Sequence, residues 1–141
     1  MSGFVAKNHE LTPLSILSSP NGDVFRLLRN DDSVFRGFGE AYISTLNPRS
    51  IKAWKNHSSS YCNFTVTLGD ALFVVKMDDY FFQYRLSPKS FYLLTINPGT
   101  WFGFKSMCSI TSHIINISTQ PHDPTEVKTL PLESFNFDWY S

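Results

Sequence analysis

Turn signals recur along this chain at short, regular intervals, and that spacing constrains its fold more than any other feature. Pro20-Asn21-Gly22-Asp23, Asn47-Pro48, Leu68-Gly69-Asp70, Asp78-Asp79, Ser87-Pro88 and Asn97-Pro98-Gly99 punctuate it with residues that favour tight turns. Between them sit runs of about four to eight β-branched and aromatic residues, the pattern of antiparallel strands. In the clearest, Phe64, Val66 and Leu68 face one way while Asn63, Thr65 and Thr67 face the other, a period of two. Gly69-Asp70 then turns the chain into Ala71–Met77, a run apolar on both faces and read as buried. Further strands are expected at Glu40–Leu46, Ser50–Trp54, Phe81–Leu86, Phe91–Ile96, Trp101–Lys105 and Ile110–Ile117. Nothing between Gly39 and Ser118 sustains a capped helical period. Asp23–Arg29 reads equally as a short helix or an N-terminal strand. The expectation is an all-β sandwich or barrel with little helix.

A chain of 141 residues, 42% of them hydrophobic, builds one domain with a real core. We expect a single unit over 1–141, with an N-terminal extension to about residue 22 and a C-terminal arm from about residue 120. That arm is broken by Pro121, Pro124 and Pro131, and its Phe135, Phe137, Trp139 and Tyr140 need a surface to cover, on this chain or on a partner. Twelve basic residues balance twelve acidic ones, so the broad positive field that nucleic acid requires is missing. No stretch approaches the ~20 apolar residues of a membrane span. Residues 1–20 lack the charged start and apolar core of a secretory signal. A cytoplasmic protein without nucleic-acid or membrane partners is expected. In that setting the glycosylation sequons at Asn56, Asn63 and Asn116 carry no consequence.

Several side chains stand out chemically, each beside a plainer reading. The stripe Lys52, Trp54, Asn63, Thr65 and Thr67 lines a cavity if its face turns inward, and is ordinary solvated surface if it does not. His57 ends a strand, where it can serve as acid or base or stand as a bystander beside Ser58-Ser59-Ser60. Arg49, Lys52 and Lys55 bunch within seven positions. They could hold one anionic group such as a diphosphate, or be solvated cations. The four histidines include no His-x-His pair and no Glu follows His57 closely, so no metal site is expected. Cys62 and Cys108 are too few for a disulfide scaffold, and Cys62 is expected to pack as a small apolar residue. The seven glycines are scattered, so no phosphate loop exists and no cofactor is implied.

Four segments in this order carry a resemblance: Gly37-Phe38-Gly39-Glu40-Ala41-Tyr42, Ile51-Lys52-Ala53-Trp54-Lys55-Asn56-His57, Leu68-Gly69, and Thr95-Ile96-Asn97-Pro98-Gly99-Thr100-Trp101-Phe102-Gly103-Phe104. With Pro121-His122-Asp123-Pro124 and Phe137-Asp138-Trp139, the chain resembles the cupin-fold sugar-nucleotide enzymes related to dTDP-4-dehydrorhamnose 3,5-epimerase, from about Gly22 to Asp138. The resemblance implies a jelly-roll cupin (a double-stranded β-helix), a homodimer, and a nucleotide-linked 4-keto-6-deoxysugar as small-molecule partner. It also implies isomerase chemistry in cell-surface polysaccharide assembly, O-antigen or lipopolysaccharide. In such enzymes a histidine removes the proton alpha to a ketone, a lysine stabilises the enolate and a tyrosine returns a proton.

This chain departs from that pattern. Lys52-Ala53-Trp54-Lys55 aligns with the family's Arg-Gly-Leu-His, so Lys55 stands where the base belongs. The enolate lysine falls near Cys62, the tyrosine near Ile115 or Asn116, and a second-motif histidine on Phe102. Of the His-x-His of related 3,4-ketoisomerases only the second is matched, by His57. The expected catalytic residues are therefore His57 and, if buried, Lys55. The expected substrate contacts are Lys52, Arg49, Trp54, Asn63, Tyr42 and Trp101. A shell that binds a sugar without chemistry, stacking it on Trp54, Trp101, Phe102, Tyr42 and Tyr84, is the alternative. A metal-dependent cupin dioxygenase is disfavoured by the missing ligands.

Overall fold

Period-two patterning becomes two facing antiparallel sheets. The computed structural model describes residues 2–141, and Met1, the head of the expected N-terminal extension, lies outside them. The strands are β1 (Phe4–Val5), β2 (His9–Pro13), β3 (Ile16–Leu17), β4 (Val24–Phe25), β5 (Glu40–Leu46), β6 (Ile51–His57), β7 (Cys62–Leu68), β8 (Ala71–Met77), β9 (Tyr80–Leu86), β10 (Tyr92–Ile96), β11 (Trp101–Ser106), β12 (Ser112–Ser118) and β13 (Val127–Thr129). One sheet runs β1-β2-β10-β7-β12-β5, the other β13-β6-β11-β8-β9, and β3 pairs β4 in a separate ribbon. This is the jelly-roll cupin arrangement.

The core fills the space between the sheets. Phe64, Val66, Leu94, Ile96, Ile114 and Leu46 come from one wall, and Phe73, Val75, Phe102 and Phe104 from the other. Aromatic rings lock the layers: the Phe64 ring lies 5.4 Å from that of Phe73 and 5.3 Å from that of Phe102, centroid to centroid. Each such buried Phe stabilises the fold by about 1.5–3 kcal/mol. At the β7–β8 turn Gly69 has φ +90°, and a Cβ there would lie 2.1 Å from Ser112 Oγ, so only glycine fits.

From Glu40 to Ser118 the strands lie where the pattern placed them. Two features differ. The N-terminal extension is part of the sheet, since β2 pairs along β10 from Tyr92↔Pro13 to Ile96↔His9. β6 runs on through His57 instead of ending at Trp54. Of the two readings of residues 23–29, the strand is the one formed, as β4. No helix is long and apolar enough to cross a membrane among the described residues.

The C-terminal arm covers this chain's own sheet. Trp54, Val74 and Trp139 are buried on the outer face of the five-stranded sheet, packed with Phe81, Trp101, Phe135 and Phe137. Trp54 exchanges backbone hydrogen bonds with Leu130, both 3.1 Å, and its Nε1–H donates to the Leu132 carbonyl at 3.0 Å. Lys105 Nζ donates to the Trp139 carbonyl. Of the aromatic side chains expected to seek a partner through this arm, only Tyr140 stays exposed, at 80%.

Candidate active site

A cavity of ≈ 520 Å³ opens between the sheets at the β5–β6 side, bordered by Tyr42, Ser44, Lys52, Lys55, His57 and the phenyl rings of Phe64, Phe102 and Phe104. How three polar residues of β6 come to share one face is a matter of register. Along β11, Phe102 pairs Lys55 but Gly103 pairs Ala53, which leaves Trp54 without a partner. That bulge reverses the alternation. Lys52 pairs Phe104 and Lys55 pairs Phe102, and both lysines border the cavity with His57. Trp54 turns out to the arm. Gly103 permits the irregularity, because a Cβ there would sit 2.4 Å from Ala53 Cβ.

His57 is the best-organised group in the cavity. Its Nδ1 lies 2.9 Å from Glu126 Oε1, with the two side chains 14% and 8% exposed. The other carboxylate oxygen of Glu126 accepts the backbone N–H groups of Ser59 at 2.9 Å and Ser60 at 2.8 Å. Burial pushes the Glu126 carboxyl up, but these N–H donors and His57 outweigh it and hold it down at about 2. An ionised carboxylate only accepts, so His57 carries its proton on Nδ1. Nε2 is left with a free lone pair and no protein partner among the described residues. Phe102 stacks beneath the imidazole at 6.0 Å between centroids, 13° from parallel. Ser59 and Ser60 thus grip the carboxylate that orients the histidine, while Ser58 donates from its N–H and Oγ to the Glu126 backbone carbonyl.

The cations rise from the same strand, β6. Lys52 Nζ donates to Ser44 Oγ at 3.0 Å and to the Thr45 carbonyl at 2.6 Å, leaving one N–H for a ligand. Burial, then the neighbouring Lys55 charge, lowers its pKa. Tyr42 enters from β5, with its hydroxyl 2.9 Å from Asn116 Nδ2. Burial raises its pKa against the opposing effect of that bond. His122 lies at the mouth, its backbone N–H held by Glu40 Oε1 at 2.8 Å. A base with a free lone pair, ammonium groups and a phenol around an aromatic-floored cavity can remove a carbon-bound proton and hold the resulting oxyanion.

The structure brings His57, Lys52, Lys55 and Tyr42 together, and sets the other expected site residues elsewhere. Lys55 is exposed, so it lacks the burial that would turn it into a base. Trp54 is fully buried beneath the arm, and Trp101 packs on Phe135 at 5.8 Å. Asn63 is 1% exposed on the far face of β7. It faces neither cavity nor water: its Oδ1 accepts from Thr95 Oγ1 at 2.7 Å and its Nδ2 donates to the Ile117 carbonyl at 2.8 Å. Thr65 is buried on that face too. The apolar side of β7, with Phe64, lines the cavity. Arg49 is exposed at the β5–β6 turn, beside a groove of ≈ 650 Å³ shared with Lys105, Cys108 and Trp139 that holds no acid–base pair. Tyr84 bonds His9 at 2.7 Å, away from the cavity lining. Cys62 is buried, its thiol pushed up to about 12 by that burial. Sequence reasoning missed Glu126, which lies 69 residues from its histidine partner in a segment without strand pattern.

The fold has close counterparts. A dTDP sugar isomerase from Desulfovibrio desulfuricans G20 superposes with a TM-score of 0.88 at 29% identity, over 94% of this chain and 91% of that one. NovW, a 4-keto-6-deoxy sugar epimerase from the novobiocin biosynthetic gene cluster of Streptomyces spheroides, superposes with a TM-score of 0.84 at 15% identity, over 96% and 76%. The sugar 3,4-ketoisomerase QdtA from Thermoanaerobacterium thermosaccharolyticum, solved in complex with TDP, gives 0.75 at 15%, over 88% and 89%. At 15% identity the last two speak to fold alone. No protein-family model matches the chain, and no curated protein does. The chain has the cupin fold of the sugar-nucleotide epimerases and isomerases and resembles that family along nearly its whole length.

Proposed function

We propose that this protein is an isomerase that epimerises a dTDP-linked 4-keto-6-deoxysugar by removing and returning a proton at a carbon alpha to the ketone. The observation that carries this reading is the His57–Glu126 pair, with Nε2 of His57 free beside a cavity that also holds Lys52 and Lys55. A carbon acid of this kind loses its proton at a useful rate only when charge developing on the ketone oxygen is stabilised in a site that excludes water. His57 takes the proton on Nε2, the Glu126 carboxylate stabilises the imidazolium that forms, and the lysines attract the enolate oxygen or the diphosphate. The phenyl rings supply the apolar floor. Glu126 also argues against a shell that only binds sugar, since binding alone needs no carboxylate behind the histidine.

The product class fits the assembly of a cell-surface polysaccharide such as O-antigen or lipopolysaccharide, in the cytoplasm. We place the enzyme there as a homodimer. Exposed Val5, Leu17 and Val24, at 71%, 50% and 56%, support contact through β1 and the β3–β4 ribbon rather than the arm, and light scattering at twice the chain mass is the check. Incubation with dTDP-4-keto-6-deoxyglucose in deuterium oxide tests the chemistry. Deuterium should enter carbons alpha to the ketone, and His57→Asn should slow that entry by about 10²–10⁴-fold. A panel of dTDP-, CDP- and GDP-linked keto sugars that binds without any exchange would defeat the proposal.

A further inference from the structure

We infer that Tyr42 is the catalytic acid that returns the proton, from the face of the sugar opposite His57. The inference rests on the epimerase reading above and adds to it a residue, a direction of attack and a stereochemical consequence. Inversion at carbon needs two groups on opposite sides of a planar enolate, because a single base that gives its own proton back restores the starting configuration. His57 stands on β6 in the five-stranded sheet, and Tyr42 on β5 in the six-stranded one. Both border the same cavity. A ligand held between the sheets therefore meets the imidazole from one wall and the phenol from the other.

The hydrogen bonds around Tyr42 decide which way its proton points. Asn116 is fully buried, and its Oδ1 lies 3.0 Å from the backbone nitrogen of Asn63. A backbone N–H can only donate, which fixes that amide atom as the oxygen. The opposite atom, Nδ2, lies 2.9 Å from the Tyr42 hydroxyl and donates to it. Tyr42 oxygen is thus an acceptor in its bond to the protein, and its own O–H has no acceptor among the described residues. That hydrogen is free to point into the cavity. The Asn116 donor also stabilises the phenolate left when the proton departs.

The other donors bordering the cavity are less suited. Lys52 and Lys55 rise from β6, the same wall as His57, and Lys52 is also held by Ser44 and Thr45, a contact that engages the Ser44 hydroxyl. His122 sits on the loop at the mouth, outside both sheets. In the step, His57 Nε2 takes the alpha proton and the C–H electron pair becomes the enolate π bond, with negative charge on the former ketone oxygen. The enolate carbon then takes the Tyr42 proton on its other face as the carbonyl re-forms. The O–H electron pair stays on the phenolate, and proton exchange with water resets both groups. No redox change occurs.

Tyr42→Phe removes one oxygen and keeps the ring, and melting curves confirm that the fold is intact. The assay follows deuterium entry and configuration separately in dTDP-4-keto-6-deoxyglucose. The variant should still exchange the alpha proton within about tenfold of the wild-type rate, with retention, while conversion to the epimer falls about 10²-fold or more. Inversion at the wild-type rate would overturn the role of Tyr42 and leave the epimerase reading standing. Loss of exchange along with inversion in the variant alone would put Tyr42 on the deprotonation side and also overturn it. Wild-type protein that exchanges nothing would remove the epimerase reading and this inference together.

Discussion

His57 works as a base only in one tautomer, and Glu126 sets it. The carboxylate accepts from Nδ1–H at 2.9 Å, so the lone pair is on Nε2, at the cavity side. Glu126→Gln has nearly the same shape but offers an amide N–H where the carboxylate oxygen was. That N–H favours a proton on Nε2, which removes the base from the site. It also leaves the charge on an imidazolium unmatched. We expect exchange of the alpha proton to slow about 10²-fold or more, with the melting curve lowered as well because the Ser59 and Ser60 N–H groups lose their ionic acceptor. Glu126→Asp, which keeps the charge on a shorter reach, should recover part of the rate. Equal exchange rates in wild type and Glu126→Gln would show that the pair is structural only.

At the scale of elements, the arm and β6 form one unit, because Trp54 pairs its backbone with Leu130 and buries its ring against Phe135, Phe137 and Trp139. Trp139→Ala should therefore cost about 3–5 kcal/mol in denaturant unfolding. The indole Nε1–H of Trp139 is buried without a partner, so Trp139→Phe deletes an unsatisfied donor and should cost distinctly less than the alanine change. A phenylalanine variant as unstable as the alanine one would show that ring size alone is at work. The strands themselves were legible in the sequence because period two survives in Phe64-Thr65-Val66 and its neighbours. The parity of β6 was not legible. One bulged residue, Trp54, exchanges the faces of the strand residues after it, and only the pairing with Gly103 reveals where that happens. Strict alternation put Trp54 on the stripe with Lys52, whereas the fold separates them. β1, β3 and β4 hold two residues each, too few for any periodicity to show. Glu126 escaped notice for a related reason: its role comes from a contact 69 residues away, and no local pattern encodes that.

Across the whole molecule, two buried groups make stability depend on pH in the same direction. His9 on β2 is 1% exposed and joins the sheets, with Nε2 2.7 Å from Tyr84 Oη on β9 and Nδ1 2.7 Å from Asn8 Oδ1. Asn8 Nδ2 donates to the Lys76 carbonyl at 3.0 Å, so Asn8 Oδ1 accepts from His9 Nδ1–H and Nε2 accepts from the tyrosine. The neutral imidazole satisfies both bonds, and burial lowers its pKa from 6.5 to about 4. A base whose pKa drops on folding binds its proton more readily in the unfolded chain. Its contribution is complete above pH 6.5 and disappears as pH falls towards 4, a change of about 3 kcal/mol. Glu126, lowered from 4.5 to about 2, contributes above pH 4.5 and loses that contribution as pH falls towards 2. Unfolding free energy should therefore decline in two stages on acidification, the first between pH 6.5 and 4, the second below 4.5. His9→Gln should flatten the first stage and leave the second, while Glu126→Gln should do the reverse. If the two variants flatten the same stage, or if stability is level from pH 7 to 4, the sheet-joining histidine does not titrate as its burial requires.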